Sequence, residues 1–244
     1  MKREKLPTFH KFGKLLKYDF LESLYPILLI NGILLLLMAM QKFVIDSDSY
    51  SLITILFWLV APMGYILSLV FLTITIIRLL YNRIFTPDGY LTFALPVSLD
   101  AILISKIFVS GVYVILSAFV LLMWGIIISD IMNIADFAFI RMDGNLLFVA
   151  MWGFSGIVGV FSMSALVLLI LAILHIGAIV RFRTLCGIAL FMFFMMIESL
   201  CYGIIFGDIE SLKMLLFIGV GFNAMKGICY YFAARYLIAN KLEI

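Results

Sequence analysis

Six continuous apolar runs constrain this chain more than any other feature of its sequence. They occupy 24–40, 52–79, 102–128, 146–174, 185–206 and 212–237. Crossing the hydrocarbon of a bilayer as a helix takes about 20 apolar residues at 1.5 Å rise each. Five runs meet that length, and the first does so when extended back toward Tyr18. A membrane barrel would show alternation in stretches of about ten residues, whereas these runs are apolar throughout. Backbone groups in lipid have no water to bond, so such runs must be helical. Composition points the same way. The chain is 66% hydrophobic and 13% charged, against about 45–50% and about 25% in a soluble domain, too little polar surface to cover a soluble core. The expected fold is an all-α membrane protein with six transmembrane helices over 24–237, a leading segment 1–23 and a tail 238–244.

Charge distribution predicts the orientation. Lys2, Arg3, Lys5, Lys11, Lys14 and Lys17 precede the first run, and Arg78, Arg83, Lys106, Arg181 and Arg183 mark the second and fourth connections. Arg235 and Lys241 lie at the C-terminal end. The opposite side holds only Lys42, Arg141 and Lys213 among seven acidic residues. The positive-inside rule then places both termini in the cytoplasm. Within the leading segment, Phe9, Phe12, Leu16 and Phe20 recur at helical spacing, with Lys11, Lys14 and Lys17 off that stripe. That pattern predicts an amphipathic helix lying on the membrane surface, or a plain charged anchor for the first span. The charged start is not a cleavable signal.

Internal punctuation falls in two runs. Pro62 and Gly64 predict a kink in the second. Gly153, Gly156 and Gly159, with Ser155, Ser162 and Ser164, predict close helix approach in the fourth, within the chain or at a subunit interface. The stretch Gly153-Phe154-Ser155-Gly156 matches the GxSG of rhomboid proteases, but such a serine needs a histidine base within reach. His175 lies 20 residues along the same predicted helix, or about 30 Å away, and His10 precedes the first run. No phosphate-cradling GxxxxGK[ST] or zinc-binding HExxH is present, so no catalysis, metal or resident cofactor is expected. Cys186, Cys201 and Cys229 sit in apolar runs as packing residues. Nucleic acid is not an expected partner; membrane lipid is.

Two charges fall inside spans, Glu198 in the fifth and Lys226 in the sixth. Such groups are costly in lipid and face a partner or a cavity. Counted from the adjoining run ends at Phe206 and Leu212, their depths differ by six residues, about 9 Å. The readings are a polar patch lining a substrate path, a state-dependent ion pair, a static pair tying two helices, or a lysine snorkelling toward the cytoplasm. Asn31, in the first run, fits an interhelical hydrogen bond.

The connection between the second and third runs is the most distinctive stretch. Pro87-Asp88-Gly89 signals a turn, and Pro96 with Ser98 marks a second break, where Ser98 or Asp100 is placed to cap the next helix. Between the breaks lies an apolar segment, Tyr90-Leu91-Thr92-Phe93-Ala94-Leu95, on the cytoplasmic side. It either docks on a partner or lies against its own helices. The sequence GYLTFALPVS followed by ILISK resembles the second cytoplasmic region of ABC-2-type permeases of Gram-positive bacteria, and the resemblance runs the length of the chain. These are membrane subunits of ABC exporters. It implies a complex of two permease subunits, alike or different, with two separate ABC ATPase subunits that carry ATP and magnesium, in the bacterial plasma membrane. It also implies that the N-terminal helix touches the ATPase and that a coupling helix around Asp88–Ser98 enters a cleft in it. His175–Thr184 would make a shorter contact. The short link at 207–211 departs from the family, whose members carry a re-entrant element there. Similarity to exporters of antimicrobial and cytolytic peptides, those of phenol-soluble modulins included, implies amphipathic peptide cargo. A resistance or immunity permease is a second reading, and a membrane scaffold or sensor without an ATPase a third.

Overall fold

The computed structural model describes residues 8–46, 52–82, 84–85, 98–131, 146–177, 183–206 and 212–241. Among them are six helices: α1 Thr8–Asp46, α2 Leu52–Asn82, α3 Leu99–Ile131, α4 Leu146–Ile176, α5 Arg183–Phe206 and α6 Leu212–Lys241. Each apolar run lies within one helix. Four stretches are long and apolar enough to cross a membrane: Phe12–Met40, Leu99–Met123, Gly153–Ile176 and Thr184–Ile205. Large apolar side chains such as Tyr25, Ile204 and Phe217 stand exposed along these helices, as expected when the surrounding solvent is hydrocarbon.

The helices start and stop where the sequence permits. The hydroxyl of Ser98 accepts a hydrogen bond from the Ala101 amide at 3.3 Å, capping α3. At the end of α2, the amides of Ile84 and Phe85 both bond to the Tyr81 carbonyl, and Ile84 and Phe85 are buried. The leading segment and the first span form one uninterrupted helix of 39 residues that runs through Pro26, because nothing between 20 and 24 breaks helical periodicity. Helix α2 likewise continues through Pro62 and Gly64. Gly64 also serves packing: a Cβ on it would lie 2.9 Å from the side chain of Leu37, so it admits α1.

The face of α1 buried in the protein is distinct from the stripe of Phe12, Leu16 and Phe20. It comprises Leu15, Asp19, Ser23, Ile27, Asn31, Leu34 and Met38. Phe12, Leu16 and Phe20 are half-buried, and Lys14 and Lys17 are exposed; the side chain of Phe9 lies outside the described residues. Lipid accepts apolar side chains at no cost, so the protein interior collects the polar ones.

The chain forms two compact units. One comprises Lys17–Leu79 and Val112–Asn145. In it the Phe20 and Tyr113 rings stack at 5.1 Å, and the Tyr113 hydroxyl donates to the Phe20 carbonyl. The other comprises Met1–Leu16, Leu80–Gly111 and Leu146–Ile244. In this unit α4 is central. It packs along α6, and its Leu166, Ile170 and Leu174 form a core with Leu190, Phe194 and Tyr230. Within the chain, Gly153 and Gly156 face open space, and Gly159 meets Asn223 at 3.9 Å. The small residues of α4 make close approach at one end of their stripe, where a Cβ on Gly227 of α6 would lie 3.2 Å from the backbone of Ser162. Likewise a Cβ on Gly111 would lie 2.5 Å from the Phe161 ring, which brings α3 against α4.

Candidate functional site

Helices α5 and α6 run antiparallel. Phe194 packs edge-on against Tyr230, Glu198 meets Lys226 and Tyr230, and Tyr202 meets Phe222 and Asn223. Lys226 Nζ lies 2.5 Å from Glu198 Oε2, and the Tyr230 hydroxyl donates to Oε1 at 2.9 Å. Both carboxylate oxygens therefore have donors. The same ammonium lies 5.5 Å from the centre of the Tyr202 ring and 5.8 Å from that of Phe222, within cation–π range. Next to it, the Tyr202 hydroxyl donates to Asn223 Oδ1 at 2.8 Å. In the structure the two charges meet as an ion pair.

The axial offset of about 9 Å between the two residues is closed by side-chain direction. Every helical Cα–Cβ bond tilts toward its own N-terminus. In an antiparallel pair, Glu198 and Lys226 each lean along the axis toward the other. Burial makes the contact matter. The two side chains are 7% and 10% exposed, and an ion with no partner in a membrane interior is strongly disfavoured.

A second charged cluster sits at the start of α3. Asp100 accepts a hydrogen bond from the Tyr231 hydroxyl at 2.8 Å and pairs with Arg235 through Nε at 2.5 Å and Nη2 at 3.1 Å. This geometry ties the first turn of α3 to α6. Just after α2, the buried Phe85 ring packs on His175, in the last turn of α4, at 5.1 Å. Asp88, Gly89, Tyr90, Leu91, Thr92, Phe93, Leu95 and Pro96 lie outside the described residues. So does the link at 207–211. Ser98 is described, as the cap of α3.

Asn31 makes the interhelical bond expected of it: its Nδ2 donates to Ser117 Oγ at 3.1 Å. Ser68 lines the same small cavity of about 10 Å³. In the other unit, a groove of about 330 Å³ opens between α3, α4 and α6, walled by Ile104 and Ile107, Phe161 and Ala165, and Ala224 and Ile228.

The sequence singled out Asn31, Glu198 and Lys226 but not Tyr202, Asn223, Tyr230, Ser117, or the Asp100–Tyr231–Arg235 cluster. One signal was available. Glu198 has aromatic residues four before and four after it, Phe194 and Tyr202, and Lys226 has Phe222 and Tyr230. Two other buried charges also went unmarked. Lys106 lies inside α3, not in the connection, and is almost wholly buried, as is Asp19 of α1. His175 and Ser155 lie on the single helix α4, about 30 Å apart, so His175 cannot serve as base for that serine. Among the described residues no three His, Cys, Asp or Glu side chains converge on a metal-sized site. Comparison with protein-family models, characterised proteins and solved structures finds no match.

Proposed function

We propose that this chain is the transmembrane permease subunit of an ATP-driven exporter, with ATP hydrolysis on a separate partner chain. In this reading α2 and α6 supply the fifth and sixth spans. At 31 and 30 residues they are about 45 Å long, enough to cross the hydrocarbon. The motif resemblance suggests the family, and one observation of the fold supports the mechanism. Phe85 packs on α4 and Asp100 is tied to α6, so the described residues that flank 86–97 contact two different helices. A partner that displaced these flanking residues would act on both helices, and coupling of this kind needs contacts that differ between two states.

Cargo in this reading is an amphipathic or hydrophobic peptide, entering from the membrane. The apolar, exposed faces of α5 and α6 support it. Co-purification in mild detergent from the native host tests the assembly. The expected result is stoichiometric recovery of a P-loop ATPase with the wild-type chain. Phe93→Asp and Leu95→Asp should each lower that recovery about tenfold, as loss of a buried interface anchor does. Recovery of this chain alone across several detergents would reject the permease reading in favour of a scaffold or sensor.

A further inference from the structure

We infer that the groove between α3, α4 and α6 seats one acyl chain of a membrane phospholipid, with the lipid phosphate at Arg235. The lining is almost entirely apolar. Its polar side chains are Ser162, Asn223 and Tyr231, and the Tyr231 hydroxyl is already committed to Asp100. The groove opens on a helix bundle built to be surrounded by hydrocarbon, so its occupant comes from the bilayer. Along α6 it extends from Asn223 to Phe232, about 14 Å. One leaflet contributes about 15 Å of hydrocarbon. The groove is thus one leaflet deep.

Its two ends differ as a lipid's do. One turn beyond Tyr231 stands Arg235, its side chain 44% exposed. Two of its N–H donors face Asp100. A guanidinium has five, which leaves donors for a phosphate oxygen, a partner for which Arg is well suited. At the other end the groove reaches Asn223 and stops near the Glu198–Lys226 pair. The groove holds about 330 Å³, and a single hydrocarbon chain is slender enough to follow it along α6.

The proposal does not depend on a transport role and is tested on the full chain without any ATPase. The chain is reconstituted in phosphatidylglycerol bilayers, extracted in mild detergent and examined by native mass spectrometry. The expected wild-type spectrum carries one retained phospholipid per chain. Ala224→Phe fills the groove from α6 and should lower that occupancy about tenfold. Ile228→Trp is the second filling variant; Ile228 is 57% exposed, so the substitution leaves the core intact. Arg235→Gln should shorten retention during detergent exchange while leaving thermal unfolding close to wild type. A wild-type spectrum without lipid, or filled variants that retain as much lipid as wild type, would overturn the inference. So would a filled variant that loses a second copy of the chain instead of a lipid.

Discussion

Glu198–Lys226 and Asp100–Arg235 are the same chemical contact in two environments. Each joins a carboxylate to a cation on α6, and each carboxylate takes a further bond from a tyrosine of the same helix. They differ in burial: 7% and 10% exposed side chains at the first, 41% and 44% at the second. The enclosed pair has no solvent to fall back on. Breaking it exposes a charge to hydrocarbon, whereas breaking the outer pair hands both ions to water or headgroups. Equal geometry should therefore give unequal energetics, and the inner pair should fix the α5–α6 register while the outer one adjusts.

The largest effect expected is at the inner pair. Glu198→Ala leaves Lys226 buried without its partner and should destabilise the protein by about 3–5 kcal/mol. Replacing both residues together, as Glu198→Met with Lys226→Met, should recover most of that loss. Thermal unfolding in a fixed detergent distinguishes the cases; single and double variants of equal stability would show that the pair contributes nothing as a pair. At the outer cluster, Asp100→Asn should cost up to about 1 kcal/mol, the range of an exposed pair. A loss as large as that at Glu198 would erase the contrast. The smallest effect is the response to salt. Screening acts over about 8–10 Å near physiological ionic strength and reaches exposed charges first. Raising salt should therefore narrow the gap between wild type and Asp100→Asn and leave the Glu198→Ala gap nearly unchanged.

Much of the fold is legible in the sequence, because helix formation in lipid is dictated by the backbone. Every apolar run lies within a helix, and the cap at Ser98 is set by a side chain three residues from its partner amide. Side-chain partners are harder. Glu198 and Lys226 are conspicuous as charges in apolar runs, but their pairing depends on an interhelical register that no local pattern encodes. Counting residues from the span ends leaves them about 9 Å apart along the axis because it ignores the opposed lean of the two side chains. The protein-facing side of α1 is hard to read for a related reason. Hydrophobicity marks the inner face of a soluble helix, whereas here Asp19, Ser23 and Asn31 lie on it beside Leu15, Ile27, Leu34 and Met38. Asp100 was legible as a candidate cap; its tie to Tyr231 and Arg235 spans more than 130 residues of sequence.

The α5–α6 contacts recur every fourth residue, with Phe194, Glu198 and Tyr202 facing Tyr230, Lys226 and Phe222 in turn. This works as a rack with one charged tooth between aromatic ones. Sliding either helix by a single turn, about 5.4 Å, would put a ring opposite each charge and leave the carboxylate and ammonium apart. Piston motion is thus resisted in both directions by the same three teeth. The two helices are keyed to travel together, tilting or rotating as one plank, and relative motion has to be taken up at their outer edges.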